Sequence, residues 1–315
     1  MASAGRLHLE IENMPNEKYF KRESAKARGT LSSRISSILS TVKSRIDPRS
    51  TAYRYLGTSS YADYKVFLIL KDFLQPDTNL PLHYVVDTIA GLFPRNAALS
   101  TEVWSFGVVC LELAQQIPYQ HPSQQKLVRL LEHLAKSEKV IVNLYYGQSN
   151  NGFYHPFERL AEYMGQYLRT PSIESSTEFI NLHAFIANLH ESHIFRSDPT
   201  YAIWAMHDAF EIKNEPGLTR DTCILIAAQW ILWNGQSLFT HLKFPGDVSP
   251  YQRKLWAPGD LYDGEPLLDL DRWRFWRDGF KNVAEETGTE CSDECKSLAR
   301  KAVYMMDAYG NSMMF

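Results

Sequence analysis

The sequence predicts an all-α fold, with antiparallel helices packed around a buried central helix at about residues 219–242. Three observations lead there. Beyond Pro48 nearly every segment repeats its apolar residues at i, i+3, i+4 and i+7, the period of one helix face. The one strand-like run, Val140 to Tyr146, finds no second strand to pair with, and an isolated strand is not stable. Pro and Gly cluster at short corners and in one long connection, residues 243–270, so they punctuate helices rather than hairpins.

Residues 1–50 carry ten Lys and Arg against five Asp and Glu; the chain as a whole is −3, which leaves −8 on the remainder. Leu31, Ile35, Ile38, Leu39, Val42 and Ile46 fall on one stripe of this stretch, so it reads as a basic helical arm that docks back by its apolar side. Residues 51–315 then read as one helical domain. Ser60 to Leu74 is apolar on most sides, and Pro81 to Phe93 aligns Leu82, Val85, Val86, Ile89 and Phe93.

Val103 to Ile117 is a helix that Pro118 stops, because the proline ring clashes with the preceding turn. The next helix starts at Pro122, where a missing N–H costs nothing, and stripes Leu127, Leu130, Leu131 and Leu134. Glu102 to Val108 resembles a helix of the protein-kinase C-terminal lobe. The Gly-rich loop, strand lysine and magnesium-binding turn that phosphoryl transfer needs are absent upstream, so that activity is excluded.

Phe157 to Leu168, Phe179 to Phe195, Pro199 to Ile212, Thr219 to Leu242, Asp271 to Glu286 and Ser292 to Tyr309 complete the helices. The 243–270 connection holds Pro245-Gly246, Pro258-Gly259 and Asp263-Gly264 turns. Trp256, Leu261, Tyr262 and Leu267 equip it as a strap that grips the core.

Bulk properties bound the class. The 315 residues are 44% hydrophobic and 22% charged, enough for a generous core. The longest apolar run, Cys223 to Ala228, is far short of the roughly 20 residues of a membrane helix. Four Cys, no glycosylation sequon and no signal-like N-terminus predict an intracellular, cytoplasmic protein.

Three separated motifs carry a resemblance. They are Gln116-Ile117-Pro118-Tyr119-Gln120-His121-Pro122 with Lys126-Leu127-Val128, then Ala228-Gln229-Trp230-Ile231-Leu232-Trp233-Asn234-Gly235-Gln236-Ser237-Leu238-Phe239, and Leu270-Asp271-Arg272-Trp273-Arg274-Phe275-Trp276. Together, over about residues 50–315, the chain resembles the fungal family known as domain of unknown function 3632. The resemblance implies a helical, intracellular fungal protein and brings no catalytic residue with it.

Candidate chemistry is sparse. On the central helix Gln229, Trp233 and Gln236 share one stripe, and a buried amide left unpaired costs about 1–3 kcal/mol, so neighbouring helices or a ligand must bond these amides. His183 and His190 lie at the edge of the apolar face set by Phe179, Leu182, Ile186 and Leu189. His193 follows His190 by three, one residue short of the His-Glu-x-x-His spacing for zinc. His190 and His207 are the candidate general bases. Cys291 and Cys295 align with Leu298 and Ala302 as a core face. Arg272, Arg274 and Arg277 interleave with Trp273 and Trp276, but the indoles fall on the inward stripe, which disfavours nucleic acid.

Two functions follow as expectations. The first is a non-catalytic helical binding or interaction protein whose partner is a protein or an apolar small molecule. The alternative is a small-molecule-binding protein or tailoring enzyme with its pocket along Gln229, Trp233 and Gln236, with His183 at its side. No cofactor, metal or membrane is expected in either case. A closed cavity of several hundred Å³ against those amides would favour the alternative.

Overall fold

The computed structural model describes residues 5–11, 61–94, 100–137, 140, 176–194, 198–214, 218–288 and 290–312. The helical arm expected beyond residue 11, the helix expected at Phe157 to Leu168 and most of the 140–146 run lie outside them. All regular structure among the described residues is helical, as the periodicity requires. The chain divides into two compact units, residues 1–162 and 163–315.

The first unit contains α1 (Asp63–Phe73), α2 (Leu82–Leu92), α3 (Thr101–Gln116) and α4 (Pro122–Ala135). Ser100 caps α3 by accepting from the Val103 N–H at 3.3 Å, which satisfies one of the four orphan donors of that end. Pro122 opens α4 as the sequence predicts. The α3–α4 corner is pinned from inside by buried Gln124, whose amide donates to the Ala114 and Ile117 carbonyls at 3.0 and 2.8 Å. Ser123 donates to the Leu74 carbonyl. Phe67, Val85, Phe106, Leu113, Leu127 and Leu134 close the core.

Residues 5–11 run extended across this unit. Gln75 accepts from the Leu7 N–H and donates to its carbonyl at 3.0 and 3.2 Å, and Gln116 does the same for Glu10 at 2.9 and 2.7 Å. Each side-chain amide thus imitates a neighbouring strand, while Leu9 between the two clamps is fully buried.

The second unit contains α5 (Ser176–Glu191), α6 (Thr200–Met206), α7 (Leu218–Lys243), α8 (Pro250–Leu255), α9 (Leu270–Glu285) and α10 (Asp293–Ser312). Here α7 is central: α5, α6 and α10 pack on it, and residues 222–231 are buried without a break. Gly235 lets α10 approach, since a Cβ there would meet the Tyr309 ring at 2.8 Å. The 243–270 connection is not structureless. Ser249 and Gln252 form a reciprocal capping box that starts α8, a Ser-x-x-Gln signature the sequence reading passed over. Trp256 is buried and grips the core as expected, whereas Leu261 is 54% exposed.

Between α6 and the Ile212 corner the helix widens into a π-helical turn, His207–Glu211. Glu211 and Arg272 lie opposite each other with both side chains at 0% exposure. The carboxylate accepts Arg272 Nε and Nη2 at 2.7 and 2.8 Å, Trp276 Nε1 at 2.7 Å and the Gly259 N–H at 3.2 Å. Arg272 Nη1 donates to the carbonyls of Trp256 and Leu267, and the Leu261 N–H to that of Glu211. One ion pair therefore ties the π turn, the strap and α9 together.

The end of α5 explains His193, the one non-glycine residue with positive φ (53°) among the described residues. His193 N–H bonds the His190 carbonyl and Ile194 N–H the Leu189 carbonyl, a left-handed helix stop that usually takes glycine. His193→Gly is expected to raise stability by about 0.5–1 kcal/mol, read as a higher urea midpoint at unchanged slope. A midpoint that falls would show that the His193 side chain holds something in place.

Candidate functional site

Helix α5 is buried from Ile180 to His190 on every side, so its histidines lie inside the second unit rather than on an edge. Trp230 of α7 fits between two of them. Its Nε1 donates to His183 Nδ1 at 3.0 Å, and its ring meets His190 edge-on at 5.4 Å. Burial pushes His183 down to about 3 and His190 down to about 4, with Asp198 pulling the latter back and His241 adding to the fall. Both rings are therefore neutral near pH 7. His183 is fixed as the Nε2–H tautomer, and that Nε2 has no hydrogen-bond partner among the described residues.

A cavity of about 20 Å³, the volume of one water, adjoins it, lined by Phe179, His183, Tyr201, Trp204, Asp208 and Cys223 among others. Cys223 is pushed up to about 11 by burial first and by Asp208 second, so it stays a neutral thiol and an inert nucleophile.

Trp204 and Asp208 are shared with a larger, open cleft of about 380 Å³. One wall is Ile203, Trp204, His207 and Asp208, from α6 and the π turn; the other is Lys254, Leu255 and Ala257. Trp204 Nε1 donates to the Leu255 carbonyl at 2.8 Å and closes the floor between the two. His207 Nδ1 and Asp208 Oδ1 are 2.9 Å apart, with 28% of the imidazole exposed. A carboxylate on Nδ1 leaves Nε2 as the accepting nitrogen, which is the orientation a general base requires. The widened turn creates this wall, and its carbonyls are not left orphaned: Asn214 bonds that of Asp208 and Leu261 that of Glu211.

The sequence-predicted residues divide. His183 and His207 border these two spaces, and His190 packs behind Trp230. Gln229 is fully buried as expected, with Oε1 accepting Trp233 Nε1 at 3.0 Å and Nε2 without a partner among the described residues. Gln236 is exposed, so only one of the two amides expected inside is buried. The reason is length: α7 has 26 residues and α5 only 16, about 15 Å shorter, so burial on all sides stops after Ile231. His190 is buried, whereas His193 is exposed on the helix stop. Cys291 precedes α10 rather than sharing its face with Cys295. Arg272 is interior, and Trp204, Asp208, Lys254 and Glu211 were not singled out.

The sequence matches the family described as Protein of unknown function (DUF3632) over residues 108–280. No curated protein and no solved structure matches the chain. No helix among the described residues is long and apolar enough to cross a membrane.

Proposed function

The chain belongs to the DUF3632 family, and from that premise we propose that it is a non-catalytic binding protein whose second unit takes up a small organic molecule. The cleft beside the π turn carries this reading. Its volume of about 380 Å³ falls within the roughly 300–1,000 Å³ of small-molecule sites, with an apolar body (Ile203, Trp204, Leu255, Ala257) and three polar groups at its edges. Lys254 gives one rim a positive charge, so a ligand with an aromatic or aliphatic body and an anionic edge fits best.

The residues lining the cleft include no hydroxyl or thiol, and the Cys223 thiol behind it stays protonated. The His207–Asp208 pair favours one second reading, an enzyme that moves a proton on the bound molecule. A reducing, cytoplasmic setting suits both, since all four cysteines are free thiols.

Seven Trp give seven indole N–H signals. Titration of the 15N-labelled full chain with benzoate is expected to move that of Trp204 more than the other six, at roughly millimolar concentration for so small a ligand. Lys254→Glu should remove the shift without lowering the melting temperature, because Lys254 is exposed. Equal movement of all seven signals, or none, would end the cleft reading.

A further inference from the structure

We infer that Asp221, Cys291 and Cys295 form a thiolate site for Zn²⁺, apart from the cleft. One oxygen of Asp221, in the first turn of α7, and the two sulfur atoms lie within 4.8 Å of one another. A tetrahedral zinc with bonds of about 2.3 Å to sulfur and 2.0–2.2 Å to oxygen sets such atoms about 3.5–3.8 Å apart, so closure by about 1 Å suffices. Two buried thiols and a carboxylate are a borderline-soft set, which suits zinc and not magnesium or calcium.

The local structure brings these residues together for reasons the sequence spacing hides. Cys291 lies two residues ahead of α10, and Ser292 caps that helix by accepting from the Cys295 N–H at 3.2 Å. The chain turns between the two cysteines, so they need not follow the Cys-x-x-Cys pattern. Asp221 is held by one oxygen only, Oδ2, which accepts the Ser292 N–H at 3.0 Å. Its Oδ1 is buried with no hydrogen-bond partner among the described residues. A shielded, unsatisfied carboxylate oxygen calls for a cation or donor at that point.

Charge supports the same conclusion. Arg220 donates to the Cys291 sulfur at 3.2 Å and to Glu286 Oε2 at 3.2–3.3 Å, and Glu290 lies 3.6 Å away. Two carboxylates (Glu286 and Glu290) thus share one guanidinium, with the Asp221 carboxylate close to the two sulfur atoms. A Zn²⁺ bound to two thiolates and Asp221 carries one negative charge, which the Arg220 guanidinium beside Cys291 faces. Arg220 then supports the site from outside, donating to a thiolate that coordinates the metal. Without a cation, burial and the carboxylates push Cys291 up to about 11, with Arg220 opposing, and Cys295 higher still. Binding therefore breaks two S–H bonds, forms two Zn–S bonds and one Zn–O bond, and releases two protons to solvent. Affinity should rise steeply with pH. The described residues supply three ligands, leaving the fourth position to water or an exogenous group.

The test uses the full chain, reduced and metal-free. Co²⁺ is expected to give a thiolate-to-cobalt charge-transfer absorption that saturates at one equivalent and disappears on adding Zn²⁺. Cys295→Ser should reduce that absorption to about half, and Asp221→Asn should weaken binding at least tenfold while keeping two sulfur ligands. As a control on variants that fail to fold, the wild type is alkylated with and without Zn²⁺ and mapped by mass spectrometry. Zn²⁺ should protect Cys291 and Cys295 and leave Cys110 and Cys223 unchanged. No cobalt–sulfur absorption, or equal protection of all four cysteines by Zn²⁺, would overturn the assignment.

Discussion

Glu211→Gln is expected to destabilise the second unit by about 3–5 kcal/mol, because it leaves the Arg272 guanidinium charged and unmatched where both side chains are at 0% exposure. Arg272→Met should cost a similar amount for the converse reason. Against a total stability of about 5–15 kcal/mol, either change brings the unit close to unfolding. The double variant Glu211→Leu with Arg272→Met should recover part of the loss, since no buried charge remains. Full recovery is not expected. The Trp276 indole and the Gly259 N–H would lose their acceptor, and the Trp256 and Leu267 carbonyls their donor. The glycine cannot be made larger in compensation, because a Cβ on Gly259 would collide with the Glu211 backbone carbonyl. Urea unfolding followed by tryptophan fluorescence measures all four proteins. A loss below about 1 kcal/mol for either single change would mean that water reaches the pair and that the strap is not anchored there.

What acts locally along the chain is legible in its sequence, and what acts across it is not. The helices were legible because burial repeats at 3.6 residues and because Pro118 and Pro122 mark ends by chemistry that acts within one turn. Even the all-round burial of α7 could be read, since Ile224, Leu225, Ala227, Ala228 and Ile231 cover its wheel. Arg272 could not be read as interior. Between Asp271 and Trp273 it looks like a surface charge, and its partner is 61 residues away. The π turn was hidden for the same reason: it forms where Glu211 is drawn to α9 and the strap, not where the local sequence asks for it. Gln236 failed in another way. The helical wheel gave its direction correctly, but a wheel carries no information about where along the axis the neighbouring helix ends. The candidate site was least legible, because Lys254 comes beside Trp204 and Asp208 only once α8 folds against α6.

Acid should destabilise the second unit well before the carboxylates titrate. His183 and His190 have folded-state values of about 3 and about 4, against 6.5 for an unburied histidine. The folded state thus holds both rings neutral, and the unfolded state binds two more protons below pH 6.5. That difference makes the stabilisation fully present above 6.5 and progressively lost as pH falls toward 4. By pH 5 each ring costs about 2 kcal/mol through this linkage, together about 4 kcal/mol, comparable to losing the Glu211–Arg272 pair. Charges facing these rings do not reverse the sign: burial dominates both, Asp198 only partly offsets it at His190, and His241 acts in the same direction as burial. Replacing both by glutamine removes the titration while keeping an acceptor for Trp230 Nε1. The wild type should therefore lose about 4 kcal/mol between pH 7 and 5 in urea titrations, and the double variant under about 1 kcal/mol. Equal slopes for the two proteins would show that the imidazoles are hydrated.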